Sequence, residues 1–134
     1  SIDDNAFAGL ENLKLLALGG NELDQVPSAI QYLKNLEELS LSDNMITFIP
    51  DGSFQENKNL QLIKLKGNPI LTIGRNVFAF LPNLKKLILS EAKELRDFPN
   101  LNGTSSLEVL RLDRASIHSI PTELCNFLPA LRSL

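Results

Sequence analysis

The chain has one cysteine, one histidine, one methionine, one tyrosine and no tryptophan among its 134 residues. A lone cysteine, Cys125, excludes an internal disulfide framework and leaves the redox compartment unset by cysteine count. A lone histidine, His118, has no second imidazole to share a metal with, and after Ile117 it reads as a solvated turn residue. There is no glycine-rich phosphate loop, no nucleophile and base at a recognisable spacing, and no isolated pair of acids. Catalysis, a metal and a cofactor are therefore not expected. No apolar run approaches the roughly 18 residues of a membrane span. Neither sign of charge dominates, with 13 basic and 16 acidic side chains, and no clustered basic surface suggests nucleic acid. No signal peptide or lipid-attachment motif marks either end, which fits mature numbering or excision from a longer chain.

Leucine is plentiful, and its positions repeat. Leu36 to Pro50 reads LxxLxLxxNxLxxxP, with Ile46 as the last aliphatic, the pattern of a short strand followed by a turn held by asparagine. The same triplet recurs at Leu13/Leu16/Leu18, Leu60/Ile63/Leu65, Leu84/Leu87/Leu89 and Leu107/Leu110/Leu112, and a sixth opens with Leu131 and Leu134. Successive first leucines are 23, 24, 24, 23 and 24 residues apart, inside the roughly 20 to 29 residues of leucine-rich repeats. A repeat of this kind buries its apolar edge only against its neighbours, so the units must stack into a coil. The expected fold is an α/β leucine-rich-repeat solenoid. It has a curved parallel β-sheet on the concave face and loops or short helical turns on the convex face. Residues 1–134 form a single domain of about five and a half repeats. Asn5 to Asn12 reads as a returning limb, so the chain starts in mid-repeat, and neither end carries a polar cap. Exposed leucines and end-to-end self-association are expected at such ends.

Asn21, Asn44 and Asn68 fall in the turn after the first three strands, where an amide can donate and accept toward main-chain groups left without partners. They predict a buried asparagine ladder. Ala92 and Ala115 hold the same position in the next two repeats, and the fourth repeat gains one residue before Leu95. An altered turn, a bound water or a change of curvature is expected there. A second column runs through the return limbs as Phe7, Ile30, Phe54, Phe78, Leu101 and Cys125, each six residues before the next first leucine. Phenylalanine at this position and spacing favours the extracellular class of repeats, although Val26 to Ile30 alone would fit an intracellular one.

Residues alternating with the strand leucines point to the concave face and are the default binding surface. The first repeat offers only Leu15, Ala17 and Gly19. The second offers Glu38 and Asp43, the third Leu62, Lys64 and Lys66, the fourth Lys86, Ile88, Ser90 and Glu91, and the fifth Val109, Arg111, Asp113 and Arg114. Recognition surfaces combine apolar anchors with complementary rim charge. Leu62, Ile88 and Val109 supply such anchors, and the candidate contacts are Glu38, Asp43, Leu62, Lys64, Lys66, Ile88, Arg111, Asp113 and Arg114. Asn102-Gly103-Thr104 is an N-glycosylation sequon that acquires meaning in a secreted protein. Cys125 reads either as a small buried hydrophobe or as a thiol whose partner lies beyond residue 134.

The run Phe98 to Glu108, with Ala115 to Pro121, Leu124-Cys125-Asn126, Ile49 to Phe54 and Gly67-Asn68-Pro69, resembles the ectodomain of leucine-rich-repeat-containing G-protein-coupled receptors, type B, which include R-spondin receptors. The resemblance covers almost the whole chain. It implies an uncapped central fragment of a larger ectodomain, at the cell surface on the extracellular side, with the membrane part outside this chain. It implies a secreted protein or peptide ligand, a bend where the ladder stops, and a disulfide from Cys125 to a cysteine about one repeat downstream. Family R-spondin contacts would reach only the first repeat here, whose Leu15, Ala17 and Gly19 lack the acidic and aromatic side chains of such a site. The alternatives of a different class are an intracellular repeat scaffold or adaptor, and an extracellular adhesion protein.

Overall fold

A computed structural model describes residues 1–122 and 124–133, with the side chains of Cys125 and Phe127 left out. Strand β1 is Leu15–Ala17, β2 Glu38–Ser40, β3 Phe48–Ile49, β4 Leu62–Lys64, β5 Thr72–Ile73, β6 Lys86–Ile88 and β7 Val109–Arg111. Five of them form a parallel sheet in the order β1-β2-β4-β6-β7. The register pairs Leu16 with Leu39, Leu39 with Ile63, Ile63 with Leu87 and Leu87 with Leu110, so the central strand leucines form one inward row. A bridge from Val109 to Ser133 begins a sixth strand beside β7. The leucine-rich-repeat solenoid expected from the spacing is the fold observed.

Burial follows the repeat. Leu36, Leu39, Leu41, Ile46, Ile49, Phe54 and Leu60 are fully excluded from solvent, as are Ile63, Leu65, Ile70, Phe78, Leu84, Leu87 and Leu89 in the following repeats, while Ile73, Phe98 and Leu112 are partly buried. Those of the first repeat, Leu13, Leu16 and Leu18, are only half-buried because the described chain places no full turn before them. In the return-limb column Phe54 and Phe78 stack with ring centroids 6.2 Å apart and planes 16° from parallel, an arrangement aromatic pairs favour. Leu10 and Leu15 at the first end are about half exposed.

The convex side holds a 3-10 turn, Ser28–Tyr32, and a short helix, Leu124–Phe127. It also holds a second parallel sheet of two strands, β3 paired with β5, that the leucine pattern did not announce. Phe48-Ile49 and Thr72-Ile73 are strand-favouring pairs at a 24-residue offset, so adjacent repeats bring them level and the ladder forms.

Each strand leaves the sheet through one residue with left-handed backbone: Gly20, Asp43, Gly67, Glu91 and Arg114, with φ from 57° to 77°. This turn lets their N–H groups continue the inter-repeat bonding, Asp43 to the Lys66 carbonyl at 2.7 Å and Gly67 to that of Ser90 at 3.0 Å. Immediately after it comes the asparagine position. Asn44 Oδ1 accepts the N–H of Asn21 and of Leu23, both at 2.9 Å, while its Nδ2 donates to the carbonyls of Leu41 and Leu18 at 2.9 and 3.0 Å. Asn68 repeats the pattern, accepting from Ile46 at 3.1 Å and donating to Leu41 and Leu65. Asn44 and Asn68 are buried, whereas Asn21 is exposed, no turn among the described residues covering it from the N-terminal side.

With Ala92 in place of the next amide, the Ile70 N–H has no side chain to reach and closes instead on the carbonyl of Asn68 at 2.8 Å. Pro69 supplies no N–H of its own in this tightened turn. An altered turn, one of the outcomes expected where the ladder stops, is present. Ala92 itself is fully buried, and the extra residue is absorbed before Leu95, whose carbonyl accepts the Ser116 N–H at 3.0 Å.

Candidate functional site

The concave sheet brings the candidate residues to one face. Lys64, Lys86 and Arg111 are exposed and Leu62, Ile88 and Val109 half-buried. Register places Leu62 beside Lys86 and Lys86 beside Val109; one step along, Lys64 lies beside Ile88 and Ile88 beside Arg111. Adjacent strands lie about 4.8 Å apart, so the two rows alternate apolar and basic out of phase, giving a checkerboard across β4, β6 and β7. Lys86 and Val109 complete this pattern, and the period of two was sufficient to find them. None of the three cations takes part in an ion pair among the described residues.

Several other charges on this side are engaged at the turns. Lys66 and Arg114 both reach Glu91, at 3.4 and 4.0 Å. Ser90, two residues before the ladder position, is buried rather than presented to solvent, and its hydroxyl donates to Asp113 at 2.6 Å. That hydrogen bond holds the Asp113 carboxyl below its ordinary value; desolvation, the next largest influence, opposes it, while the Asp113 backbone N–H and the charges of Arg111 and Arg114 add to the lowering. Candidate residues Lys66 and Arg114 thus share Glu91, and Asp113 is held separately by Ser90. Glu38 on β2 and Asp43 at its turn lie at the acidic end, both exposed, with the Asp43 carboxylate packed over Gly67.

Asn102 is exposed and its N–H donates to Asn100 Oδ1 at 3.0 Å, while Thr104 is buried with its hydroxyl on the Leu101 carbonyl at 2.6 Å. The expected disulfide of Cys125 concerns a side chain outside the described residues. Asn57 was not singled out by sequence reasoning. It takes the place that Leu33, Leu81 and Leu128 hold buried in other limbs, and its Nδ2 donates to the carbonyls of Ile30 and Leu33 at 2.9 and 3.1 Å. A polar residue at a position that is leucine in four of six limbs, with Thr104 the other exception, was the available signal.

A solenoid whose polar groups serve its own turns, and whose concave sheet presents apolar and charged side chains in register, defines a recognition scaffold of stacked leucine-rich repeats. The leucine-rich repeat family model matches residues 1–46 and 34–92, and the chain belongs to that family. It is 44% identical over 110 residues, 82% of its length, to leucine-rich repeat-containing G-protein coupled receptor 5A of Xenopus laevis. Identity is again 44% over 110 residues with receptor 6 of Homo sapiens, and 42% over 114 residues with receptor 4 of Xenopus tropicalis. The chain spans about 12% of the length of these curated relatives. The receptor resemblance read from Phe98 to Glu108 and its neighbours therefore extends along most of the chain, and these relatives are receptors, not enzymes.

Proposed function

We propose that the chain is a central segment of the extracellular, ligand-binding part of a G-protein-coupled receptor, and that it recognises a secreted protein or peptide through the concave checkerboard. The observation that carries this reading is the in-register alternation of Leu62, Lys86 and Val109 with Lys64, Ile88 and Arg111, in which the cations have no partner within the described fold. Such a surface suits a segment carrying acidic and aliphatic side chains, with anchors in the centre and charge supplying rate and register. The receptor names of the relatives support the cell-surface location. On the same reading Cys125 pairs with a downstream cysteine.

The test is a titration of the isotope-labelled chain with an amphipathic peptide of alternating glutamate and leucine, against a lysine and leucine control. Shift changes confined to β4, β6 and β7, and abolished by Lys64→Glu, Lys86→Glu and Arg111→Glu together, are expected. Changes centred on the convex side, or an equal response to the basic peptide, would remove the basis for the proposal.

A further inference from the structure

The geometry points to Asn102 as an N-glycosylation site whose first sugar lies on the ring of Phe80. Phe80 is 72% exposed, the highest value among the exposed large hydrophobic side chains. It lies four residues before Leu84, as Gly103 lies four before Leu107, so the residue stacked against Phe80 from the next repeat has no side chain to cover the ring. Gly103 has φ of +94°, and a β-carbon there would collide with the Ala79 carbonyl, so this open position is imposed by backbone contact. Asn102 precedes Gly103 and Phe80 follows Ala79, so the two flank that contact from the turns of successive return limbs. A hollow of about 310 Å³ exists elsewhere on the convex side, but the one at this place is larger, about 530 Å³, lined by Glu56, Lys58, Phe80, Pro82 and Gly103.

The occupant follows from the covalent attachment. A sugar on Asn102 is held beside the ring at high effective concentration, which no free ligand matches. The apolar C–H face of a pyranose fits the negative face of an aromatic ring, while Glu56 and Lys58 at the rim offer hydrogen bonds to its hydroxyl and N-acetyl groups. Attachment forms a bond from the Asn102 Nδ2 to the anomeric carbon of N-acetylglucosamine. The amide gives up one proton to a base of the transferase, and a lipid-linked diphosphate leaves with the bonding electrons. Thr104 is buried with its hydroxyl committed to Leu101, so the sequon is legible only before the fifth repeat stacks on the fourth.

This inference rests on the extracellular reading, yet its readouts differ from peptide binding on the concave face, so either can fail without the other. The full chain is secreted from eukaryotic cells behind a cleavable signal and the Asn102 peptide is weighed before and after endoglycosidase. The expected result is a modified Asn102 and an upfield-shifted N-acetyl methyl resonance that returns to its free position in Phe80→Ala. Phe80→Ala should also lower Tm by about 2–4 °C in the glycosylated protein and leave Tm unchanged in Asn102→Gln. An unmodified Asn102, an unshifted methyl, or an equal effect of Phe80→Ala in both backgrounds overturns the proposal.

Discussion

The carboxylate of Asp43 occupies the space into which any side chain at Gly67 would have to grow. The two residues hold the same place in successive repeats, both with left-handed backbone, φ 57° and 77°. One carries the side chain and the other makes room for it. At this pair the succession of a charged residue and a glycine is thus a packing relationship between neighbours as well as a conformational one.

Gly67→Ala is expected to destabilise the chain by about 1–2 kcal/mol from the left-handed backbone alone, with a further steric part from Asp43. Chemical denaturation of Gly67→Ala, Asp43→Gly and the double variant separates the two. Recovery in the double variant should return the steric part and leave the backbone part. An unchanged unfolding midpoint in Gly67→Ala would show that the turn is not held as described.

Asn44→Ala removes the acceptor for the Leu23 N–H and the donor to the Leu18 and Leu41 carbonyls in a buried setting. Leaving such groups unpaired costs about 1–3 kcal/mol. Asn21→Ala removes bonds that water replaces, because Asn21 is exposed, and should stay within about 0.5 kcal/mol. Equal losses for the two variants would contradict a ladder whose strength comes from burial.

The strands and the leucine column were legible in the sequence because a position buried between repeats admits only aliphatic side chains, and the repeat length fixes where it recurs. The asparagine position was legible for a similar reason, and its loss at Ala92 correctly marked an altered turn. What stayed hidden depends on contacts between repeats. Lys64 and Lys66 look alike in sequence, yet only Lys66 has Glu91 within reach. Asp43, Glu91 and Arg114 read as ordinary surface charges, since nothing but a glycine advertises left-handed backbone, and glycine stands there only at 20 and 67. Pairing of Phe48-Ile49 with Thr72-Ile73 needed the convex limbs of two repeats to come level, which a pattern keyed to strand leucines does not report.

Acid titration should reveal Asp113. Its carboxyl is held below the ordinary 3.8 in the fold, chiefly by the Ser90 hydroxyl, so the ionised form is favoured by the native state. The resulting stabilisation is fully present above the unfolded value and is lost as pH falls through the folded one. The difference in stability between the native chain and Asp113→Asn should be constant near neutrality and shrink only below the 3.8 of an ordinary carboxyl. Ser90→Ala should move that loss to higher pH. A difference that disappears already near pH 6, on the order of two units too high for a carboxyl, would assign the effect to another group.

Arg114 and Glu91 share the same left-handed geometry, φ 62°, but differ in what their side chains hold. Arg114 is 74% exposed at the side chain and touches Glu91 at 4.0 Å, an arrangement that contributes about 0–1 kcal/mol. The backbone conformation costs a non-glycine residue about 1–2 kcal/mol. Strain therefore outweighs the ion pair at 114, and Arg114→Gly is expected to raise the unfolding midpoint. At Glu91 the balance shifts, because one carboxylate serves both Lys66 and Arg114 and its side chain is only 29% exposed. Glu91→Gly should gain the same relief and lose both partners, leaving stability nearly unchanged at low salt. Raising the salt concentration screens the pairs, so the stabilising effect of Glu91→Gly, measured against the native chain, should grow with salt while that of Arg114→Gly changes less. A lower midpoint for Arg114→Gly at every salt concentration would mean that the guanidinium makes a contribution larger than its exposed position allows.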